Sequence, residues 1–425
     1  MSRRLLALVL VGLIAVTAGC SGSTGTASPP KSDALGGGIG DLNPPASPPA
    51  APQPPADPVQ SIVEKMTVDE KIGQLVLIGL DGQKLDKQGA SFIKDRHIGG
   101  VILYKRNIAS LSQTFELVRE LKTANSGQPL PLWISVDQEG GAVSRLPAEF
   151  AALPDNARIG ALKNPQLART IGELLGEELH VLGMNMDFAP VLDVNNNPSN
   201  PVIGPRSYGP DAKVVADLGV QAMEGIASRH TVPVVKHFPG HGDTATDSHV
   251  ELPIVRKSLD ELRQLELIPF RQAISGGADA VMVAHLLLPG LDEHNPSSMS
   301  PRIVTGLLRE ELGFQGVVIT DDLTMGAIAN QRGIGEAAVN AVQAGADIVM
   351  IAHGYDLALQ AVEALKREVA AGRLTEERLN ASVRRIAALK RKYELTDQAP
   401  AEPVIEPINK RIRQLKEENP SLKTP

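Results

Sequence analysis

The chain has a single cysteine, Cys20, so no internal disulfide can brace it and a folded body must stand on its core alone. Aromatic residues are only 3% of the total, with one Trp, which is few stacking platforms for a long polysaccharide groove and favours a compact pocket with polar walls. No glycine-rich phosphate loop leading into a helix with Lys occurs, and this removes nucleotide-dependent readings. The formal net charge of −7 is not gathered into a tail, so nucleic acid is not an expected partner. The apolar run Leu5 to Val16 is too short to cross a bilayer.

That run has another use. Ser2-Arg3-Arg4 is a short basic segment before it, and Thr17-Ala18-Gly19 places small residues just ahead of Cys20. The arrangement resembles a bacterial lipobox, in which cleavage before the cysteine leaves an N-terminus that carries lipid; Thr17 departs from the commoner Leu. An ordinary secretory leader with an incidental cysteine is the alternative. Residues 1–20 are thus expected to be a lipoprotein signal peptide, with Cys20 as a membrane anchor on the outer face of the cytoplasmic membrane. Residues 21–57 are rich in Pro, Ala and Ser with few large apolar side chains, and read as a tether.

Helical apolar spacing begins at Val59 with Ile62, Val63 and Met66. From there, short β-rich runs alternate with longer amphipathic stretches. Strands are expected at Leu75–Leu80, Gly100–Tyr104, Leu132–Asp137, Asn185–Phe188, Val232–Lys236, Ala280–Ala284, Gly316–Thr320 and Ile348–Ile351. Helices are expected at Leu111–Ala124, Pro165–Leu182, Ala212–Ser228, Leu259–Ile274, Tyr355–Ala370 and Glu376–Lys392. The strands are near-continuous apolar runs, as when both faces are covered. Eight such units in roughly 330 residues indicate an α/β fold, a single (β/α)8 barrel. Gly277–His285 (GADAVMVAH) and Gly345–His353 (GADIVMIAH) repeat one helix-to-strand passage. The body is expected over 58–395, followed by a tail, 396–425, with a short helix near Ile408–Glu417.

Four segments carry titratable groups at strand ends, where barrels place their chemistry. Lys236–Glu251 (KHFPGHGDTATDSHVE) packs Lys, three His and two Asp around glycines. Val318–Met325 (VITDDLTM) sets Asp321 and Asp322 at the end of an apolar strand, with one of the pair expected to face the barrel mouth. Val136–Arg145 (VDQEGGAVSR) and Asp187–Gly209 (DFAPVLDVNNNPSNPVIGPRSYG) complete the set.

In this order the four segments resemble glycoside hydrolase family 3, specifically the NagZ-type β-N-acetylglucosaminidases, over about Pro58 to Leu395. The discriminating part is KHFPGHGDT followed by Asp247-Ser248-His249, because most of the family takes its acid/base carboxylate from a second domain. The resemblance implies Asp321 as nucleophile and an Asp247–His249 dyad as acid/base. It also implies Asp137, Arg145, Arg206, Lys236 and His237 as sugar-binding positions. No position in these motifs departs from that branch. The activity implied by the resemblance is that of a retaining exo-β-N-acetylglucosaminidase; no cofactor is expected, and the expected state is a monomer. Its implied substrate is a disaccharide or muropeptide with terminal N-acetylglucosamine linked to N-acetylmuramic acid. The residue types suit such chemistry, which needs a carboxylate below the anomeric carbon and a proton donor beside the leaving oxygen.

Other readings stay open in the sequence. His237, His241, Asp243, Asp247 and His249 could hold a metal, although His241 and Asp243 read better as loop braces. Asp322 reads as a helix cap or loop partner, with exchange of its role with Asp321 the alternative. Glu139 is either a brace or a partner of Lys236. His285 and His353 are expected to be core histidines. Rival functions are a family 3 β-glucosidase or β-xylosidase, disfavoured because about 30 residues follow the barrel, transfer to phosphate instead of water, and an idle surface sugar-binding lipoprotein.

Overall fold

The computed structural model describes residues 57–422. Cys20, the leader over 1–20 and all but the last residue of the 21–57 segment lie outside the described residues.

Eight strands, each parallel to the next, close into a barrel in chain order. They are β1 (Val76–Gly79), β2 (Gly100–Leu103), β3 (Trp133–Val136), β4 (Met186–Asp187), β5 (Val232–Phe238), β6 (Ala280–Val283), β7 (Val317–Asp322) and β8 (Ile348–Ile351). Pairing of Val76 with Val349 and Ile78 with Ile351 shuts the ring between β1 and β8. Nearly every strand side chain is buried, because helices cover the outer face while side chains fill the inside.

All eight expected strands are present, and two run further than the apolar pattern does. β5 continues through Lys236 and His237 to Phe238, and β7 continues through Asp321 and Asp322. In both, the extension coincides with a register shift, between Val235 and Phe238 against β6 and between Ile319 and Asp322 against β8. Such irregularities at a barrel rim re-aim side chains, and here they fall at the most chemically loaded positions. Polar residues end the apolar pattern two positions early because hydropathy registers burial and not pairing.

The helices start at side-chain caps. Ser110, Asn164 and Asp211 each accept an amide hydrogen bond at the start of Leu111–Ala124, Pro165–Val181 and Ala212–Ala227. The expected single helix Leu259–Ile274 is instead two, Leu259–Gln264 and Leu267–Ser275, broken at Leu265. Pro269 explains the break: its ring conflicts with the carbonyl four residues back, which belongs to Leu265.

Residues 396–422 pack on the body. The helix Glu406–Glu418 buries Ile408 and Ile412 in a cluster with Leu153, Ile159, Leu167 and Leu422. Asn409 donates to the Glu149 carbonyl (2.8 Å) and accepts from the Ala151 amide (2.6 Å), pinning this helix beside the segment after β3. Asp397 accepts from the Leu132 amide just before β3 and from Asn125.

Candidate active site

At the C-terminal ends of the strands lies a pocket of about 380 Å³, within the roughly 300–1,000 Å³ common for small-molecule sites. Asp137, Arg145, Arg206, Lys236, His237, Asp247, His249 and Asp321 all line it. The eight residues singled out in the sequence come from four separate stretches of chain, and the fold brings every one of them to this pocket.

Its floor is a paired charge network. Lys236 has a side chain only 1% exposed, and its Nζ lies 2.6 Å from Asp137 Oδ1 and 2.7 Å from Glu139 Oε1. Arg206 grips Glu139 with both prongs, Nε to Oε2 at 2.9 Å and a terminal nitrogen to Oε1 at 2.7 Å. Burial disfavours a charged Glu139, but Lys236 and Arg206 outweigh it and hold the carboxyl far below the usual carboxylate range. Burial likewise disfavours charge on Lys236, and Asp137 with Glu139 more than offsets it, so its pKa lies above the ordinary value. Glu139 is therefore a partner of two cations. Arg145 lines the same space, and its buried Nε has no protein partner.

A second network, built on Asp193, orients the histidines. Asp193 Oδ2 lies 2.6 Å from His237 Nδ1, and Oδ1 accepts from the His241 amide at 2.6 Å. Burial opposes its ionisation, yet His237 and the His241 contacts hold its pKa below the ordinary value. An ionised Asp193 can only accept, so His237 Nδ1 must be the donor, and Nε2 is left at the pocket 3.4 Å from Arg206. His241 contacts Thr244 Oγ1 through Nδ1 (2.8 Å) and Ser248 Oγ through Nε2 (3.0 Å). Burial, reinforced by His237, lowers its pKa to about 4, so it is a neutral brace. Asp243 pairs with Lys257 at 2.8 Å.

The two adjacent aspartates have different surroundings. Asp322 accepts from the Thr324 amide (2.9 Å), the Thr324 hydroxyl (2.6 Å) and the Ala352 amide (2.9 Å), so its oxygens are taken up in shaping the turn. Asp321 accepts one bond, from the Asp322 amide at 2.8 Å. Burial works against its charge, but His285, His237, that amide and Lys236 prevail and keep it below the ordinary carboxylate value. It is an ionised carboxylate with an oxygen to spare.

Across the pocket, His249 Nδ1 lies 2.8 Å from Asp247 Oδ1, and its side chain is 64% exposed. Partial burial pushes Asp247 up, but the His249 amide and ring pull it below its usual value. The dyad therefore has a donor Nδ1 and leaves Nε2 free to exchange a proton.

His285 is a buried histidine as expected, held by Ser298 Oγ (2.7 Å) and the Asp322 carbonyl (3.0 Å). His353 is not: its side chain is 56% exposed, lines the pocket and stacks on Tyr104 with centroids 5.5 Å apart. The loop after β6 folds back so that Ser297 bonds the Ala284 carbonyl and covers His285. After β8 the chain enters the helix Tyr355–Ala370 almost at once, and nothing covers the equivalent ring. Asp193, Tyr104 and His353 are the site residues the sequence did not single out. Scarcity of aromatics was an available signal for Tyr104; Asp193 looked like one more turn residue in an Asn-rich loop.

Behind the floor, Gln138 accepts from the Arg145 amide (2.9 Å) and donates to Glu178 (3.1 Å), which is buried on the helix Pro165–Val181. Burial pushes the Glu178 carboxyl up to about 8, with Gln138 pulling only weakly back. A folded pKa above the unfolded one contributes stability that is complete below about 4.3 and is lost as pH rises through about 8. Glu178→Gln keeps the hydrogen bond without the titration. Denaturant unfolding from pH 5 to 8.5 should show the variant gaining steadily on the parent, and a constant difference would contradict the buried neutral acid.

Residues 67–389 match the family described as the glycosyl hydrolase family 3 N-terminal domain. A β-hexosaminidase of Stenotrophomonas maltophilia strain K279a is 38% identical over 305 residues, 70% of this chain and 89% of that protein. A family 3 β-N-acetylglucosaminidase from Paenibacillus sp. FPU-7 superposes with TM-score 0.79 at 43% identity, covering 83% of this chain and 69% of that one. A family 3 glycosyl hydrolase from Mycobacterium smegmatis superposes with TM-score 0.71 at 33% identity, covering 77% and 98% respectively. With the closed eight-stranded barrel and these matches together, the chain belongs to glycosyl hydrolase family 3.

Proposed function

We propose that the protein is a retaining exo-β-N-acetylglucosaminidase. The observation that carries this reading is one pocket holding both an ionised carboxylate with a spare oxygen, Asp321, and an exposed Asp–His dyad on a different loop. The β-hexosaminidase and β-N-acetylglucosaminidase relatives support the acetamido sugar as substrate.

Asp321 attacks the anomeric carbon, and the bond to the leaving oxygen breaks as His249 Nε2 delivers its proton there. The products of this step are a glycosyl ester on Asp321, a released alcohol and a neutral His249. Neutral His249 then takes a proton from water whose oxygen attacks the same carbon, which frees Asp321 and returns the imidazolium. Asp247 accepts from Nδ1 at 2.8 Å and fixes the ring, the role of a third group in a triad. Asp137 and Arg145 suit sugar hydroxyl and carbonyl oxygens, and Lys236, held by Asp137 and Glu139, fixes the floor on which the ring rests.

With a chromogenic β-N-acetylglucosaminide and the matching β-glucoside, the acetamido sugar should be preferred strongly. Asp321→Ala should lose about 10⁴-fold or more in kcat, and His249→Ala about 10²–10⁴-fold with an altered pH profile. An Asp321→Ala variant that retains activity would sink the nucleophile assignment.

The substrate in place is a cell-wall fragment ending in N-acetylglucosamine, met at the outer face of the cytoplasmic membrane. Supporting this are the basic segment, short apolar run and small residues before Cys20, and the Pro-rich segment after it. Cys20→Ser should move the protein from the membrane to the soluble fraction, and mass spectrometry should find diacylglycerol on Cys20. An unmodified mature protein carrying residues upstream of Cys20 would contradict the anchor.

A further inference from the structure

The short helix Gly326–Ala329 follows directly on the turn after Asp321 and Asp322, and no side chain of its own caps its start. A helix leaves its first amides in need of acceptors. Here the acceptors are backbone carbonyls of the loop that carries His249. The Gly326 amide donates to the His249 carbonyl at 3.1 Å and the Ala327 amide to the Ser248 carbonyl at 3.2 Å. The Asn330 side chain donates to the Val250 carbonyl at 3.1 Å. Three consecutive loop residues are thus fastened to the segment that leads out of β7.

The approach depends on glycine for space. A Cβ at Gly326 would stand 2.5 Å from the Val250 oxygen and 2.7 Å from the His249 oxygen, so roughly 0.9 Å of retreat is needed to reach the 3.4 Å of ordinary contact. Gly326 does not have a positive φ, so backbone conformation makes no such demand. On the far side, Asp322 fixes the turn through Thr324 and accepts from the Met325 amide with its carbonyl at 3.0 Å. A run of short bonds therefore links the peptide of Asp321 to the peptide of His249. Val250 is 68% exposed, while Ser248 Oγ on His241 and Thr244 Oγ1 under Asn200 tie the loop inward through side chains.

We propose that Gly326 and Asn330 are positioning residues: they latch the acid/base loop onto the nucleophile strand and so set where His249 stands over the scissile bond. The proposal rests on His249 being the acid/base. Loosening the latch moves the proton donor and leaves Asp321 and the floor in place, so the loss should follow how much the leaving group needs a proton.

The test compares kcat/KM for the parent, Asn330→Ala, Gly326→Ala and His249→Ala on two substrates. One is the 2,4-dinitrophenyl β-N-acetylglucosaminide, whose leaving group departs as a stable anion. The other is the β-1,4-linked N-acetylglucosamine disaccharide, whose alkoxide needs protonation. Both latch variants should lose about tenfold or more on the disaccharide and less than about threefold on the aryl glycoside, the pattern of His249→Ala in milder form. Asn330 is exposed, so Asn330→Ala gives a reading even if Gly326→Ala folds poorly. Equal losses on both substrates, or none on either, would overturn the latch while His249→Ala still discriminates. If His249→Ala itself fails to discriminate, the acid/base assignment falls, and the latch with it.

Discussion

The site is organised by the need to keep Lys236 charged while its side chain is almost wholly out of water. An ammonium in that position must be matched by carboxylates at close range. Asp137 and Glu139 supply them, and Glu139 then requires Arg206 to balance it. The loops after β3 and β4 and the end of strand β5 are drawn to one point by that requirement. His285 and His237, with the Asp322 amide and Lys236, keep the neighbouring Asp321 ionised despite its burial. Lys236 is thus shared between the floor and the surroundings of the reactive carboxylate.

Differences among the histidines show how environment divides labour within one residue type. His285 is buried and bonded at both nitrogens, His241 is buried and neutral between two hydroxyls, and His237 is fixed by Asp193. Only His249 combines a carboxylate at Nδ1 with broad exposure of the ring, the combination a group needs if it is to trade protons with a leaving alcohol and then with water. The same logic separates Asp321 from Asp322, since the second has its oxygens bound to Thr324 and Ala352.

Much of the fold was legible in the sequence because parallel barrels bury both faces of each strand, so the eight strands stand out as apolar runs. The four titratable segments at their ends pointed to the pocket, and the dyad of Asp247 and His249 was implied by the family resemblance. What stayed hidden depends on geometry that hydropathy does not encode. The register shifts that carry His237 and Asp321 inside strands look like loop starts. Asp193 sits among turn residues and acquires its role only when β5 brings His237 beside it. His353 repeats the pattern of His285, yet differs because the chain after β8 turns into a helix without covering it. The tail after 395 looked separate because its apolar residues are sparse, but Ile408 and Ile412 suffice to seat it.

Covalent bonding of Asp321 to the sugar during turnover is the central claim. A 5-fluorinated N-acetylglucosaminyl fluoride forms the glycosyl-enzyme quickly and releases it slowly, so proteolysis and mass spectrometry can locate the attached sugar. The expected result is one glycosyl unit on the peptide containing Asp321, with fragmentation placing it on that residue. A sugar on Asp322 or on a histidine, or an unlabelled enzyme that still consumes the reagent and releases the α-anomer, would contradict it.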